Sequence, residues 1–558
     1  MELSGTQKNN MDLAVSQEAR DLEGSESLEA EAGKKGVKGG GSQRSLEMKG
    51  GEEGVKGGGS QRTLEMKEGE AKDREEEGKA GDRVKGGGRE EIQAYLGQLQ
   101  GLGCILGLEN MRNLMAELGD VQDRLPIVHV AGTNGKGSVC AMLSSVLQEA
   151  GYRVGMYTSP AVFGEREQYQ INGVAISEEK WQEILGEVKY ACESVIASGM
   201  PQPTAFEVET AMAFLYFWRE GCQVAVIETG LGGEGDATNI IKKPLLSILT
   251  SISRDHMQFL GDSLAGIARK KAGIIKEGGI AVAAEPQELE VRQAIEGICQ
   301  ERHARLIYAK EAEAKEIHFR QEGYARPADA REAEAKEVHF RQEGYARPAD
   351  AREAEAKEIH FRQERLCFSY GALGKISLSM AGAYQAANGI CVIKAAEALR
   401  EMGWAISEAA IKAGLEKARW EGRFSVLCPK PLFVIDGAHN QGAAEKLRET
   451  LKMGFTNRKI IYIIGVLADK EHEKILKTML PLAWKVFTVT PFSARALDGR
   501  KLAEKARKYH QDVTFCHEIR GAVRQSLWLA AEEKAMVLAF GSLSYLGEIR
   551  KALEENIL

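Results

Sequence analysis

The sequence predicts an α/β protein in two parts: a larger domain built on a mainly parallel sheet, then a smaller Rossmann-like α/β domain at the C-terminus. Short β-branched runs alternate with amphipathic stretches from about residue 127 to about residue 283, as in parallel strands joined by crossover helices. The same alternation resumes beyond about residue 422. A glycine-rich turn separates the first apolar run from the first helical one. With 558 residues and 43% hydrophobic content the chain can fill two or three cores.

Residues 1–88 are rich in Gly, Lys and Glu and nearly free of aromatics, which predicts a disordered low-complexity tail. Residues 36–44 return as 54–62 and in part as 84–88, a tandem duplication rather than a solenoid. Residues 89–421 form the predicted larger domain, with strands at 127–131, 153–157, 224–228, 245–252 and 280–283. Helices are predicted over 139–150 and 208–218. A second repeat starts at Glu311, Glu332 and Glu353, a spacing of 21. Its histidines, His318, His339 and His360, suggest metal only if something gathers them, so residues 311–364 read as an exposed, duplicated insertion. Residues 422–558 form the smaller domain, with strands at 432–436, 459–466, 485–490, 513–516 and 536–540 and a helix over 442–453.

Composition narrows the function classes. The net charge of −7 comes from interspersed residues of both signs, so no basic surface announces nucleic acid or anionic lipid. Nine cysteines without a C-x-x-C pair fit a reducing cytosol better than a disulfide framework or a zinc site. The first thirty residues hold no apolar signal region, and no run approaches the roughly 18 apolar residues of a membrane span. The expectation is a cytoplasmic protein acting on small molecules.

Chemistry enters where the first predicted strand ends, at Gly132-Thr133-Asn134-Gly135-Lys136-Gly137-Ser138. A strand, a glycine turn, Lys and Ser, and then a helix make a phosphate cradle. Backbone N–H groups and the helix N-terminus face the anion, Lys136 neutralises it, and Ser138 is placed to hold Mg²⁺. One extra glycine between Lys136 and Ser138 departs from the common P-loop spacing. Ser159, Glu228, Asp255 and His256 follow other strand ends, at the edge where open α/β sheets bind ligands.

Further motifs continue the pattern. Gly107-Leu108-Glu109-Asn110-Met111-Arg112 precedes the loop, and Tyr157-Thr158-Ser159-Pro160 follows it. Then come Gly230-Leu231-Gly232-Gly233, Asp236-Ala237-Thr238-Asn239, Asp255-His256, Lys271-Ala272-Gly273-Ile274-Ile275-Lys276, Asp436-Gly437-Ala438-His439-Asn440 and Gly541-Ser542-Leu543. In this order, from about residue 90 to the C-terminus, they resemble the folylpolyglutamate synthase/dihydrofolate synthase family of the Mur ligase superfamily.

That resemblance implies an ATP-dependent ligase joining L-glutamate to a folate, or to dihydropteroate, through an acyl phosphate. It implies Lys136, Lys271 and His256 as the catalytic set and residues 132–138 with Asn388, Arg423 and Asp436 as ATP contacts. Ser138, Glu207 and His256 would be Mg²⁺ ligands, and Ser159 and Pro160 a substrate loop. It also implies a carbamate on Lys271, which helical spacing places on an apolar stripe with Leu264, Ala268 and Ile275. Competing structural readings stand beside five of these. Thr204 to Glu207 also spells a capping box, Asp436-Gly437 a turn, Lys271 a snorkelling helix-end lysine, His256 a simple strand-end histidine, and residues 132–138 a glycine turn with a chance lysine. Ala161, Tyr384, Glu421, Glu234-Gly235 and Lys270 depart from the family pattern, of which Ala161 and Glu234 bear on pterin preference. The working expectation is a monomeric enzyme. The rivals are another Mur-type amino-acid ligase and a non-catalytic nucleotide-binding protein.

Overall fold

The computed structural model describes residues 95–99, 101, 103, 105–285, 287–320 and 365–557. The predicted tail and the second and third repeat copies, with His339 and His360, lie outside the described residues.

The larger sheet has eight strands: β1 (Ile127–Ala131), β2 (Val154–Tyr157), β3 (Tyr169–Ile171), β4 (Val174–Ala175), β5 (Val224–Glu228), β6 (Leu246–Leu249), β7 (Ile280–Glu285) and β8 (Arg305–Lys310). Their order is β4-β3-β2-β5-β1-β6-β7-β8, parallel except for β3 and β4. β1 is central and wholly buried, because helices cover both faces and alternate side chains must be apolar on each. Val128 and Val130 face the helices Lys136–Glu149 and Gln385–Glu401, and Ile127 shares the opposite core with the helix Ala205–Arg219. The carboxyl end of β1, between two parallel neighbours, is therefore where a crevice opens.

A small antiparallel sheet follows, β9 (Ala314–Arg320), β10 (Arg365–Tyr370) and β11 (Gly374–Leu378), in the order β11-β10-β9. The C-terminal sheet has β12 (Ser425–Pro429), β13 (Leu432–Ile435), β14 (Ile460–Ile464), β15 (Lys485–Thr488), β16 (Val513–Phe515) and β17 (Met536–Phe540). Its order is β12-β13-β17-β14-β15-β16, with only β12 antiparallel.

Each predicted strand is present, most within a residue or two of its expected ends. The predicted strand 245–252 is shorter, ending at Leu249, because the chain turns there to supply loop contacts. Sequence patterning misses β3, β4 and β8 to β12. One expectation is corrected: the insertion does not start at residue 311. Glu311–Glu313 is a 3-10 turn and Ala314–Arg320 is β9, because Ile317 and Phe319 find apolar surface to cover. No helix among the described residues is long and apolar enough to cross a membrane.

Candidate functional site

The phosphate loop is shaped by what surrounds it. Gly135 caps the helix Lys136–Glu149 with φ +95°, and a Cβ there would sit 2.5 Å from Asn388 Oδ1. A Cβ on Gly137 would sit 2.6 Å from Trp420 Nε1, so only glycine lets these neighbours close on the loop. The Thr133 hydroxyl donates to Ser253 O at 3.0 Å and ties the loop to the segment after β6. Ser138 Oγ is buried and accepts from Gln385 Nε2 at 3.2 Å, while Asn388 Nδ2 donates to Gln385 Oε1 at 2.8 Å. Gln385, which the sequence did not single out, thus links Asn388 to Ser138.

Three charged groups crowd the same strand ends. Lys136 Nζ lies 3.7 Å from Glu228 Oε1 at the end of β5. Burial raises the Glu228 carboxyl above its usual range, against Lys136, Arg423 and a hydrogen bond from the Ser159 backbone. Lys271 is buried on the predicted apolar stripe of the helix Leu264–Ala272, and its Nζ donates to Gly132 O at 2.8 Å. Burial, reinforced by Lys136, pushes its amine down to about 7 against Asp255 and Asp236. Ser159 presents its backbone to Glu228, and its hydroxyl is buried without a hydrogen-bond partner among the described residues. Pro160, joined to it by a cis peptide, is exposed.

His256 sits at φ +50°, capping the short helix Met257–Leu260. Burial lowers its imidazole to about 4 despite the adjacent Asp255, so it is neutral and has a lone pair to offer. Glu207 is placed differently. Its Oε2 accepts from the Thr204 N–H at 2.7 Å and the Thr204 hydroxyl at 2.9 Å, completing the capping box that was the competing reading. It makes no hydrogen bond or ion pair with Ser138, Lys136 or His256. The carboxylate the structure brings to the loop is Glu228. No three His, Cys, Asp or Glu side chains form a metal group among the described residues.

The C-terminal domain closes the site from the other side. The Asn134 and Asn440 amides pair at 3.2 and 3.0 Å, and Asn440 Nδ2 also donates to Asp255 Oδ2 at 3.2 Å. Lys470 Nζ lies 2.5 Å from Asp255 Oδ1, and His439 Nε2 3.4 Å from Oδ2. Against burial, His439 and Lys470 hold the Asp255 carboxyl well below its ordinary range. Lys470 went unnoticed in the sequence, although it lies in the loop after the carboxyl end of β14, as Asp255 lies in the loop after that of β6. Arg423 reaches Glu228 and Asp436 electrostatically and packs over Gly437. Asp436 itself is occupied: it accepts from Tyr384 OH at 2.8 Å, Phe424 N at 2.9 Å and Ala438 N at 2.8 Å. Its turn role is realised, and the departure at Tyr384 supplies one of its partners.

Beside the capping box opens a cavity of about 290 Å³, lined by Leu106, Phe206, Glu207, Glu209, Leu231 and Asp236 among others. Asp236 is aimed by Leu231 N at 2.6 Å and by the Thr238 N–H at 3.1 Å. Burial raises the Asp236 carboxyl and pushes Glu209 up to about 7. An aromatic face with a few convergent carboxyls suits a flat heterocycle bearing N–H donors.

Comparison with known proteins finds relatives over most of the chain. The Mur ligase middle domain matches residues 130–396 and the Mur ligase glutamate ligase domain residues 422–543. The chain is 34% identical over 469 residues to the dihydrofolate synthase/folylpolyglutamate synthase of Bacillus subtilis (strain 168), covering 80% of this chain and 95% of that protein. The structure of Mycobacterium tuberculosis folylpolyglutamate synthase complexed with ADP superposes with a TM-score of 0.69. It is 27% identical and covers 83% of this chain and 99% of that one. A bifunctional folylpolyglutamate synthase/dihydrofolate synthase with Mn, AMPPNP and L-glutamate bound matches with a TM-score of 0.63. It is 26% identical and covers 83% of this chain and 98% of that one.

Proposed function

The chain belongs to the folylpolyglutamate synthase/dihydrofolate synthase family of Mur ligases and is an ATP-dependent enzyme that ligates glutamate to folates, and we propose that Lys136, Glu228, Lys271, His256 and Arg423 carry the reaction. The observation behind this set is the convergence of the loop lysine, the β5 carboxylate and the C-terminal guanidinium where the two domains meet. Nucleotide and a divalent metal are used by the family.

In the first step an oxygen of the folate carboxylate attacks the γ-phosphorus, the bond to the β-phosphate oxygen breaks, and ADP leaves. Lys136 and Arg423 neutralise the charge that spreads over the transferred group, and residues 132–138 hold the phosphates through backbone N–H groups. The amine of glutamate, having lost a proton, then attacks the acyl carbon and phosphate departs. Ser138, Glu228 and His256 would hold Mg²⁺: a hydroxyl, a carboxylate and a neutral imidazole, leaving room for nucleotide oxygens and water, fit an octahedral ion. Bound there, the metal supplies further neutralisation of phosphate charge. Glu228 takes the place first given to Glu207.

Lys271 is assigned a carbamate, formed when its neutral amine adds CO₂ and releases a proton. The support is its burial and its amine at about 7, which leaves much of it unprotonated near neutrality. Asn388 is assigned to the adenine side of the nucleotide and Arg423 to its phosphates, with Asp436 orienting Arg423 and the turn. Ser159 and Pro160 border the acceptor. The cavity beside Phe206 takes the pteridine, with Asp236 and Glu209 meeting its N–H edge. Function as a monomer in the cytoplasm completes the reading; the free cysteines among the described residues support its second half, a reducing compartment.

The test uses full-length protein with Mg-ATP and glutamate, offered dihydropteroate or tetrahydrofolate separately, with products weighed. Addition of one glutamyl unit to either acceptor, with ADP released in step, is expected. Folded protein that extends neither would overturn the assignment, and the acceptor used decides between the two activities.

A further inference from the structure

Among the described residues β9 is the outer strand of its sheet and pairs with β10 alone. It is also the first of three near-identical segments. Glu311 to Glu322 reads the same as Glu353 to Glu364 at all twelve positions, and Glu332 to Glu343 differs only by Val338 in place of Ile317. We propose that the edge of β10 covered by β9 is a docking slot for this segment, and that residues 314–320, 335–341 and 356–362 of the same chain exchange in it.

The contacts that hold β9 are made by residues every copy carries. Glu313 accepts from Tyr370 OH at 3.0 Å and pairs with Lys394 at 3.3 Å. Ser369 donates to Glu316 at 3.1 Å. Phe319 lies 6.2 Å, centroid to centroid, from Phe455 and packs on the core of the C-terminal domain. A shift of 21 brings Glu334, Glu337 and Phe340 to those places, and a second shift brings Glu355, Glu358 and Phe361. The slot therefore cannot choose between the first and third copies by side chain, and meets the second with only Val338 in place of Ile317 against the core.

Connectivity permits the exchange as well. Arg320 stands opposite Arg365. With the third copy seated, Arg362 takes that place and Gln363-Glu364 closes a two-residue hairpin, the shortest that antiparallel strands accept. The residues released join the connection after β8, and closure entropy changes slowly with loop length. An edge strand can leave without breaking a second ladder, and strand addition at an edge draws its affinity from main-chain bonds that any copy supplies. Tethered segments compete at millimolar effective concentration, which favours the copies of the same chain over those of a neighbour.

Two measurements on the full chain decide it. Phe319→Asp alone should leave the melting temperature and ligase rate unchanged, because another copy seats its phenylalanine; Phe319→Asp with Phe340→Asp and Phe361→Asp should lower the melting temperature by several degrees. Cys367 stands opposite His318, so His318→Cys, His339→Cys and His360→Cys, made singly and mildly oxidised, should each form an intrachain disulfide with Cys367. Peptide mass mapping reads them against an Asp350→Cys control between copies. The proposal is overturned if the single phenylalanine change destabilises as much as the triple, or if the triple is silent. It is equally overturned if His339→Cys and His360→Cys cross-link no more than the control. A triple variant that fails to fold, beside a normal single one, supports it.

Discussion

At the scale of single residues the site depends on where burial puts charge. Lys271 is held in the protein interior with its amine at about 7, far below the ordinary lysine value near 10.4. Between those two pH values the unfolded chain carries the extra proton, so stability rises with pH across the window as the cost of burying a cation is relieved. Activity that needs a neutral amine should rise through the same pH of about 7. Lys271→Ala should lose activity on the order of 100-fold while still folding, with partial return on adding a short carboxylate. Full activity in that variant would remove Lys271 from the mechanism. A second contrast separates two acids. Glu228→Gln should cost activity on a similar scale and leave the melting curve near that of the unmodified chain. Glu207→Ala should instead cost about 1 kcal/mol of stability through the lost helix cap, read in a urea titration. If Glu207→Ala abolished turnover in folded protein while Glu228→Gln kept it, the metal set would have to be drawn again. The sequence made Glu228 visible as a strand-end carboxylate, but its contact with Lys136 depends on β5 lying next to β1, an order no local pattern contains.

At the scale of elements, strands flanked by helices were legible because a sheet buried on both faces writes itself as apolar runs: β1, β5 and β17 are apolar nearly throughout and match their predicted bounds. β3 and β4 were not legible, being three and two residues long and held by antiparallel pairing rather than by a pattern of their own. β9 was hidden by its copies, since repetition reads as an insertion and only tertiary contacts, the ladder with β10 and Phe319 against Phe455, show that one copy belongs to the fold. Deletion of residues 311–352 tests this element. It joins Lys310 to Glu353 and restores the same strand from the third copy, so activity and melting temperature should stay close to those of the full chain. A large loss of turnover would show that the removed residues do more than connect. The glycine loop was the most legible element, because its spacing is local. Its closeness to Trp420 and Asn388 was not, because both come from more than two hundred residues downstream.

At the scale of the whole molecule, one middle-domain carboxylate gathers three side chains of the C-terminal domain. Asp255 receives Lys470, His439 and Asn440, and Asn440 in turn pairs with Asn134 of the phosphate loop. The sequence quoted the Asp255-His256 and His439-Asn440 motifs but could not join them, since the link exists only once two separately folded domains have met. This arrangement makes Asp255 the place where domain docking is tied to the nucleotide loop. Removing the charge in Asp255→Asn leaves the ammonium of Lys470 largely buried without its anion, a change that typically costs about 3 kcal/mol. The measured loss should depend on pH with a definite sign. The Asp255 carboxyl lies well below its unfolded value of about 3.9, so its contribution is complete above that pH and fades as the pH falls below it. Melting temperatures of the two proteins should therefore differ most near neutrality and converge under acid. The variant should also need more ATP for half-maximal rate, because the loop amide loses the partner that steadies it. Equal melting temperatures at neutral pH would show that the two domains are held by their apolar contacts alone.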